Sequence, residues 1–132
     1  MASPTILVVD DDEAIRRLIR AFLVPSGYRV LLASDGKEAC ETLAQDPHVD
    51  LVLIDLVMPN QEGIETIRFI RKQLPHVKIV AMSGAFPSSL AVATFMGADV
   101  GLAKPIDRDV LEDTLRQLLA PAPNTIDVSS AS

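Results

Sequence analysis

The chain opens on a short unbroken apolar run, Thr5–Val9 (TILVV), rich in β-branched residues. That is the pattern of a strand buried on both faces. From Glu13 to Val24 the period changes. Ile15, Leu18, Ile19, Phe22 and Leu23 share one face, and Arg16, Arg17 and Arg20 fall on the other, which predicts an amphipathic helix ended by Pro25, Ser26 and Gly27. The same alternation then repeats. Strands are predicted at Tyr28–Ala33, Asp50–Ile54, Val77–Met82 and Val100–Ala103. Helices are predicted at Lys37–Gln45, Glu62–Leu74, Pro87–Met96 and Asp107–Leu119, the second of these turning Ile64, Ile67, Ile70 and Leu74 inward. Ser34, Asp35 and Gly36 form a turn and cap, and Pro87 fits the first turn of its helix.

Strands alternating with helices give the α/β class: a doubly wound, five-stranded parallel sheet with helices on both faces. Right-handed crossovers leave few topologies. The flavodoxin-like order 2-1-3-4-5 is one of them, and it opens a crevice at the carboxyl ends of strands one and three. Residues 1–120 form one domain in this reading. Residues 121–132 (PAPNTIDVSSAS) carry no periodic pattern and read as a disordered tail or the start of a linker.

Composition narrows the possibilities. Hydrophobic residues make up 48% of the 132, enough for a packed core. The formal net charge of −6 argues against a nucleic-acid surface on this domain. Cys40 is the one cysteine, so no intramolecular disulfide can form, and it sits mid-helix as a packed or inert residue. With no secretory signal, the expected location is the cytoplasm. The uncharged stretch Ile79–Ala98 is interrupted by Ser83, Gly84, Pro87, Ser88 and Ser89, so a strand, a loop and a helix explain it better than a membrane span.

In a parallel sheet, all strand carboxyl ends lie on one edge. Asp10, Asp11 and Asp12 follow strand one, Asp55 follows strand three, Ser83 follows strand four and Lys104 follows strand five. An aspartate before a helix is most often an N-cap, but a cap uses one residue, and Asp12 suffices. Asp55 lies between apolar runs, where an ionised carboxylate is costly without compensation. Asp10, Asp11 and Asp55 together would crowd three carboxylates. A hard divalent cation with oxygen ligands relieves their repulsion, and magnesium suits so few protein ligands. With Lys104 as a fixed cation and Ser83 as a hydroxyl donor, such a pocket can hold a phosphoryl group. No Gly-x-x-x-x-Gly-Lys run is present, which excludes a P-loop nucleotide site. His48 and His76 precede strands and belong to the opposite edge, away from this chemistry.

ILVVDDD at Ile6–Asp12, LVLIDLVMPNQEG at Leu51–Gly63, AMSG at Ala81–Gly84, GAD at Gly97–Asp99 and LAKP at Leu102–Pro105 stand in the order and near the spacing of the receiver domains of two-component response regulators. The resemblance covers roughly Thr5–Leu119. It implies a magnesium- or manganese-dependent switch, not a turnover enzyme, phosphorylated on Asp55 by a histidine kinase or a histidine phosphotransfer protein. It further implies Asp11 as direct metal ligand, Asp10 as a ligand acting through water, and Val57 as the donor of a main-chain carbonyl. Ser83 and Lys104 would contact the phosphoryl oxygens, Lys104–Pro105 would be cis, and Gly63 would lie in the loop after strand three. The face made by the helix Pro87–Met96, the strand Val100–Ala103 and the last helix is expected to serve a homodimer or an output partner, and no nucleic acid or membrane is expected.

The chain departs from the pattern at Gly101, where the family usually carries Tyr or Phe. Ser83 to Lys104 is also about one residue short, a gap assigned to the loop Gly84–Pro87, with Phe86 a candidate to fill the missing aromatic's space. Arg16, Arg17 and Arg20 read as a solvated face, or as a surface for an acidic partner. A receiver-like interaction module and an aspartyl-phosphate hydrolase are the competing classes. The hydrolase would need a second acid two residues after the nucleophile, where Val57 stands.

Overall fold

The computed structural model describes residues 3–56, 62–84, 91, 93–94 and 96–120. Five strands, β1 (Thr5–Val9), β2 (Arg29–Ala33), β3 (Leu51–Asp55), β4 (Lys78–Ser83) and β5 (Val100–Ala103), pair in parallel in the order β2-β1-β3-β4-β5. The expected order is thus present. Four helices have defined bounds among the described residues: α1 (Glu13–Leu23), α2 (Gly36–Gln45), α3 (Glu62–Gln73) and α4 (Arg108–Leu119). Between β4 and β5, Ala91, Ala93 and Thr94 are helical, whereas Met96 already lies in a turn. Most of the predicted helix Pro87–Met96, with Phe86 and its loop, lies outside the described residues, as do Val57 and residues 121–132.

Side-chain alternation along the strands divides the core. Ile6 and Val8, Leu51 and Leu53, and Val80 and Met82 pack with Ile19 and Leu23 of α1 and Leu111 and Leu115 of α4. Leu7, Val9, Val52, Ile54, Ile79 and Ala81 pack on the other face with Ala39 and Leu43 of α2, Ile67 and Ile70 of α3, and Ala93. Both faces of the central strands are therefore dry, as continuous apolar runs in a parallel sheet require.

The ends of the elements follow hydrogen bonding and not hydropathy. β3 runs one residue further than its apolar run, so Asp55 pairs in register with Met82, and β4 likewise ends on Ser83. Asp12, Asp35 and Asp107 cap α1, α2 and α4, accepting from the backbone N–H of Ala14, Glu38 and Val110. Gly63 is the second residue of α3, not a loop residue, and a β-carbon there would stand 2.7 Å from the Asp55 carbonyl oxygen. Only glycine lets α3 start so close to the end of β3. Leu18, placed on the apolar face of α1 by its spacing, is 44% exposed.

Candidate functional site

Parallel pairing brings Asp10, Asp55, Ser83 and Lys104 to one edge of the sheet. Backbone bonds continue the ladder past the strands: Asp10 N–H donates to Ala33, Leu56 N–H to Met82 and Lys104 N–H to Ser83, at 2.9–3.1 Å. Each functional side chain is thus carried on backbone held by its neighbour.

Asp10 and Asp55 are buried, with 0% and 2% of their surface exposed, and Ser83 is buried beside them on β4. Two buried carboxylates need compensation. Lys104 supplies it. Its Nζ lies 2.9 Å from Oδ2 of Asp10 and 3.2 Å from Oδ2 of Asp55. Burial alone would push the Lys104 ammonium toward a lower pKa. The hydrogen bond to Asp10 and the charges of Asp55 and Asp10 more than offset this and hold it above the usual lysine range. The other oxygen of Asp10 accepts the backbone N–H of Asp12 at 2.9 Å. Asp11 is exposed, yet carboxylate oxygens of Asp10, Asp11 and Asp55 all fall within 4.8 Å of one another. Three hard oxygen donors converging at that spacing fit a divalent cation of the magnesium kind.

The expected residues Asp10, Asp11, Asp55 and Lys104 are therefore brought together, with Ser83 at the same edge. Lys104–Pro105 is cis, as expected. Gly101 lies on β5 opposite Ala81, so no aromatic side chain rises from that position. His48 and His76 line a cavity of about 900 Å³ with Arg29 and Asp50 at the amino ends of the strands, away from the acids. Cys40 is half-buried in α2, and burial, Glu41 and Glu62 push its thiol pKa up, which makes it a poor nucleophile.

Two arginines have roles that hydropathy did not reveal. Arg17 and Arg20 are solvated, as expected of that face. Arg16 instead turns back across the cap of α1 and donates to the main-chain carbonyl of Asp10 at 2.6 Å. Arg71, at the end of α3, donates to the carbonyls of Pro75, Val77 and Gly97 and pairs with Asp99 at 2.8 Å, fixing the turn before β5. Neither contact leaves a periodic trace in the sequence.

Known proteins share the sequence pattern and the fold. The response regulator MprA of Mycolicibacterium vanbaalenii is 39% identical over 115 residues, covering 86% of this chain and 49% of that protein. The CAI-1 autoinducer sensor kinase/phosphatase CqsS of Vibrio cholerae is 38% identical over 110 residues, covering 80% of this chain and 16% of that protein. The chain thus spans about half or less of the length of these relatives. Among solved structures, a response regulator receiver domain protein from Clostridium thermocellum superposes with a TM-score of 0.83 at 28% identity, covering 88% of this chain and 94% of that one. Vibrio cholerae chemotaxis protein CheY4 gives 0.82 at 29% identity, covering 89% and 100%. Residues 6–116 match the response regulator receiver domain family, and the chain belongs to that family.

Proposed function

We propose that this domain is a phosphoryl-accepting switch of a two-component system or phosphorelay, with Asp55 as acceptor and Mg²⁺ or Mn²⁺ as cofactor. The observation that carries this reading is the buried Asp55 carboxylate, paired with Lys104 and converging with Asp10 and Asp11. Asp11 and Asp55 would hold the cation directly, Asp10 through water, and Val57 through its main-chain carbonyl. The cation, when bound, supplies positive charge against the phosphoryl oxygens.

Asp55 is the nucleophile. Its carboxylate oxygen forms the new O–P bond while the P–N bond of a phosphohistidine breaks, and the electron pair leaves with the imidazole. Such a transfer depends on alignment and counter-charge more than on covalent assistance. The ammonium of Lys104 is already in contact with Asp55, so it can follow the charge onto the phosphoryl oxygens. Ser83 offers a hydroxyl from the adjoining strand end. Val57 has no polar side chain to orient water two residues after the acceptor, which favours slow hydrolysis over turnover. The donors are a histidine kinase or a histidine phosphotransfer protein. The response is a change in self-association or output binding at the face that includes β5 and α4, in the cytoplasm.

Incubation with acetyl phosphate and Mg²⁺ tests the reading by intact mass. One added phosphoryl group is expected, and none when the metal is chelated before acetyl phosphate is added. An unchanged mass would reduce the domain to a receiver-like interaction module, the class that Gly101 favours.

A further inference from the structure

Arg16 is one of three arginines on α1, yet it behaves unlike the others. Arg17 pairs with Glu13 at 3.0 Å on the open surface, and Arg20 is exposed. Arg16 is half-buried, and its Nη1 donates to the Asp10 carbonyl oxygen at 2.6 Å. A charged donor at that distance makes one of the stronger hydrogen bonds available to a main-chain carbonyl.

The bond closes a small frame. Asp12 caps α1 through Ala14 and sends its own N–H to the Asp10 carboxylate, while Arg16 N–H returns to the Asp12 carbonyl at 3.1 Å. Besides the ladder bond of its N–H to Ala33, Asp10 is held at three points: one carboxylate oxygen by Asp12, the other by Lys104, and the carbonyl by Arg16. The third point matters most for the next residue. The Asp10 carbonyl belongs to the peptide that carries Asp11. Fixing that peptide plane fixes the N–Cα bond of Asp11 and so narrows the directions in which its side chain can leave the backbone. Asp11 is the exposed member of the converging carboxylates, so the packing around Asp10 and Asp55 does not orient it.

We propose that Arg16 is a positioning residue for the acidic pocket. By holding the Asp10–Asp11 peptide, it aims Asp11 at the shared cation position and so sets metal affinity. The inference rests on the reading of this pocket as a divalent-cation site. Its effect opposes simple electrostatics. A guanidinium beside an acidic site repels a cation, so removing it for charge reasons alone would tighten binding.

The test is Mg²⁺ affinity by isothermal titration calorimetry on wild type, Arg16→Met, Arg16→Lys and Arg17→Met, with thermal unfolding of each. Arg16→Met is expected to bind Mg²⁺ roughly tenfold more weakly, the scale on which groups supporting metal ligands act. Arg16→Lys, which keeps a cationic donor, should recover part of that loss. Arg17→Met, which removes the same charge from the same helix, should stay at wild-type affinity or slightly above it. Unchanged or tighter binding in Arg16→Met overturns the inference while leaving the cation site standing. Absence of Mg²⁺ binding by wild type overturns the site and the inference together. If Arg16→Met unfolds, the comparison of Arg16→Lys with Arg17→Met decides: wild-type affinity in both rejects the role.

Discussion

At the scale of single residues, the pocket is held by one cation shared between two buried acids. Replacing Lys104 by Met removes the cation that Asp10 and Asp55 share. The expected cost is about 2 kcal/mol in urea unfolding at neutral pH, below the value for a fully buried pair because the Lys104 side chain keeps 21% of its exposure. The pH dependence has a definite sign. A pKa raised in the folded state contributes stability that is complete below the unfolded lysine value of 10.5 and is lost as pH climbs through the higher folded value. The gap between wild type and Lys104→Met should therefore persist up to pH 10.5 and close only beyond it. Gly63 is constrained by space. Its missing β-carbon would sit 2.7 Å from the Asp55 carbonyl oxygen and 3.0 Å from the Leu56 Cα, both backbone atoms that cannot yield cheaply. Gly63→Ala gains helix propensity but should still lose roughly 1–2 kcal/mol net, read from the urea midpoint. The acids, hydroxyl and lysine were legible in the sequence because each follows an apolar run. Arg16 was not, because its spacing within α1 is that of a solvated residue and its partner is a main-chain carbonyl that no side-chain pattern encodes.

At the scale of elements, periodicity located every strand and the four helices with defined bounds, while their ends followed polar chemistry. Apolar runs stop where water-facing residues usually begin. Here Asp55 and Ser83 remain paired in the ladder and buried, so β3 and β4 run past their hydrophobic stretches. Asp107 shows the reverse: periodicity places it in the helix, but its backbone is extended and its side chain caps Val110 N–H at 3.0 Å. Asp107→Ala should lower stability by about 1 kcal/mol, seen as a reduced Tm, with Mg²⁺ affinity unchanged. Helical spacing also over-assigned burial. Leu18 on α1 is 44% exposed, because a regular stripe on a helix is wider than the strip the sheet can cover.

At the scale of the molecule, the two apolar layers have a single consequence for chemistry. They fix the sheet edge at which the ends of four strands place their polar residues. Fold class and strand order were legible because right-handed crossovers between buried strands leave few arrangements. Convergence of the acids on one point was inferable only from that order, since Asp10 and Lys104 stand 94 residues apart in sequence. Membership of the receiver family then gives the arrangement a purpose, and the central claim becomes a covalent one. The most direct measurement is the intact mass of wild type and Asp55→Asn side by side after acetyl phosphate and Mg²⁺. The account predicts one added phosphoryl group on wild type and none on the variant, which keeps the shape of the side chain and lacks the nucleophilic oxygen. A variant that takes up phosphate as wild type does would contradict it.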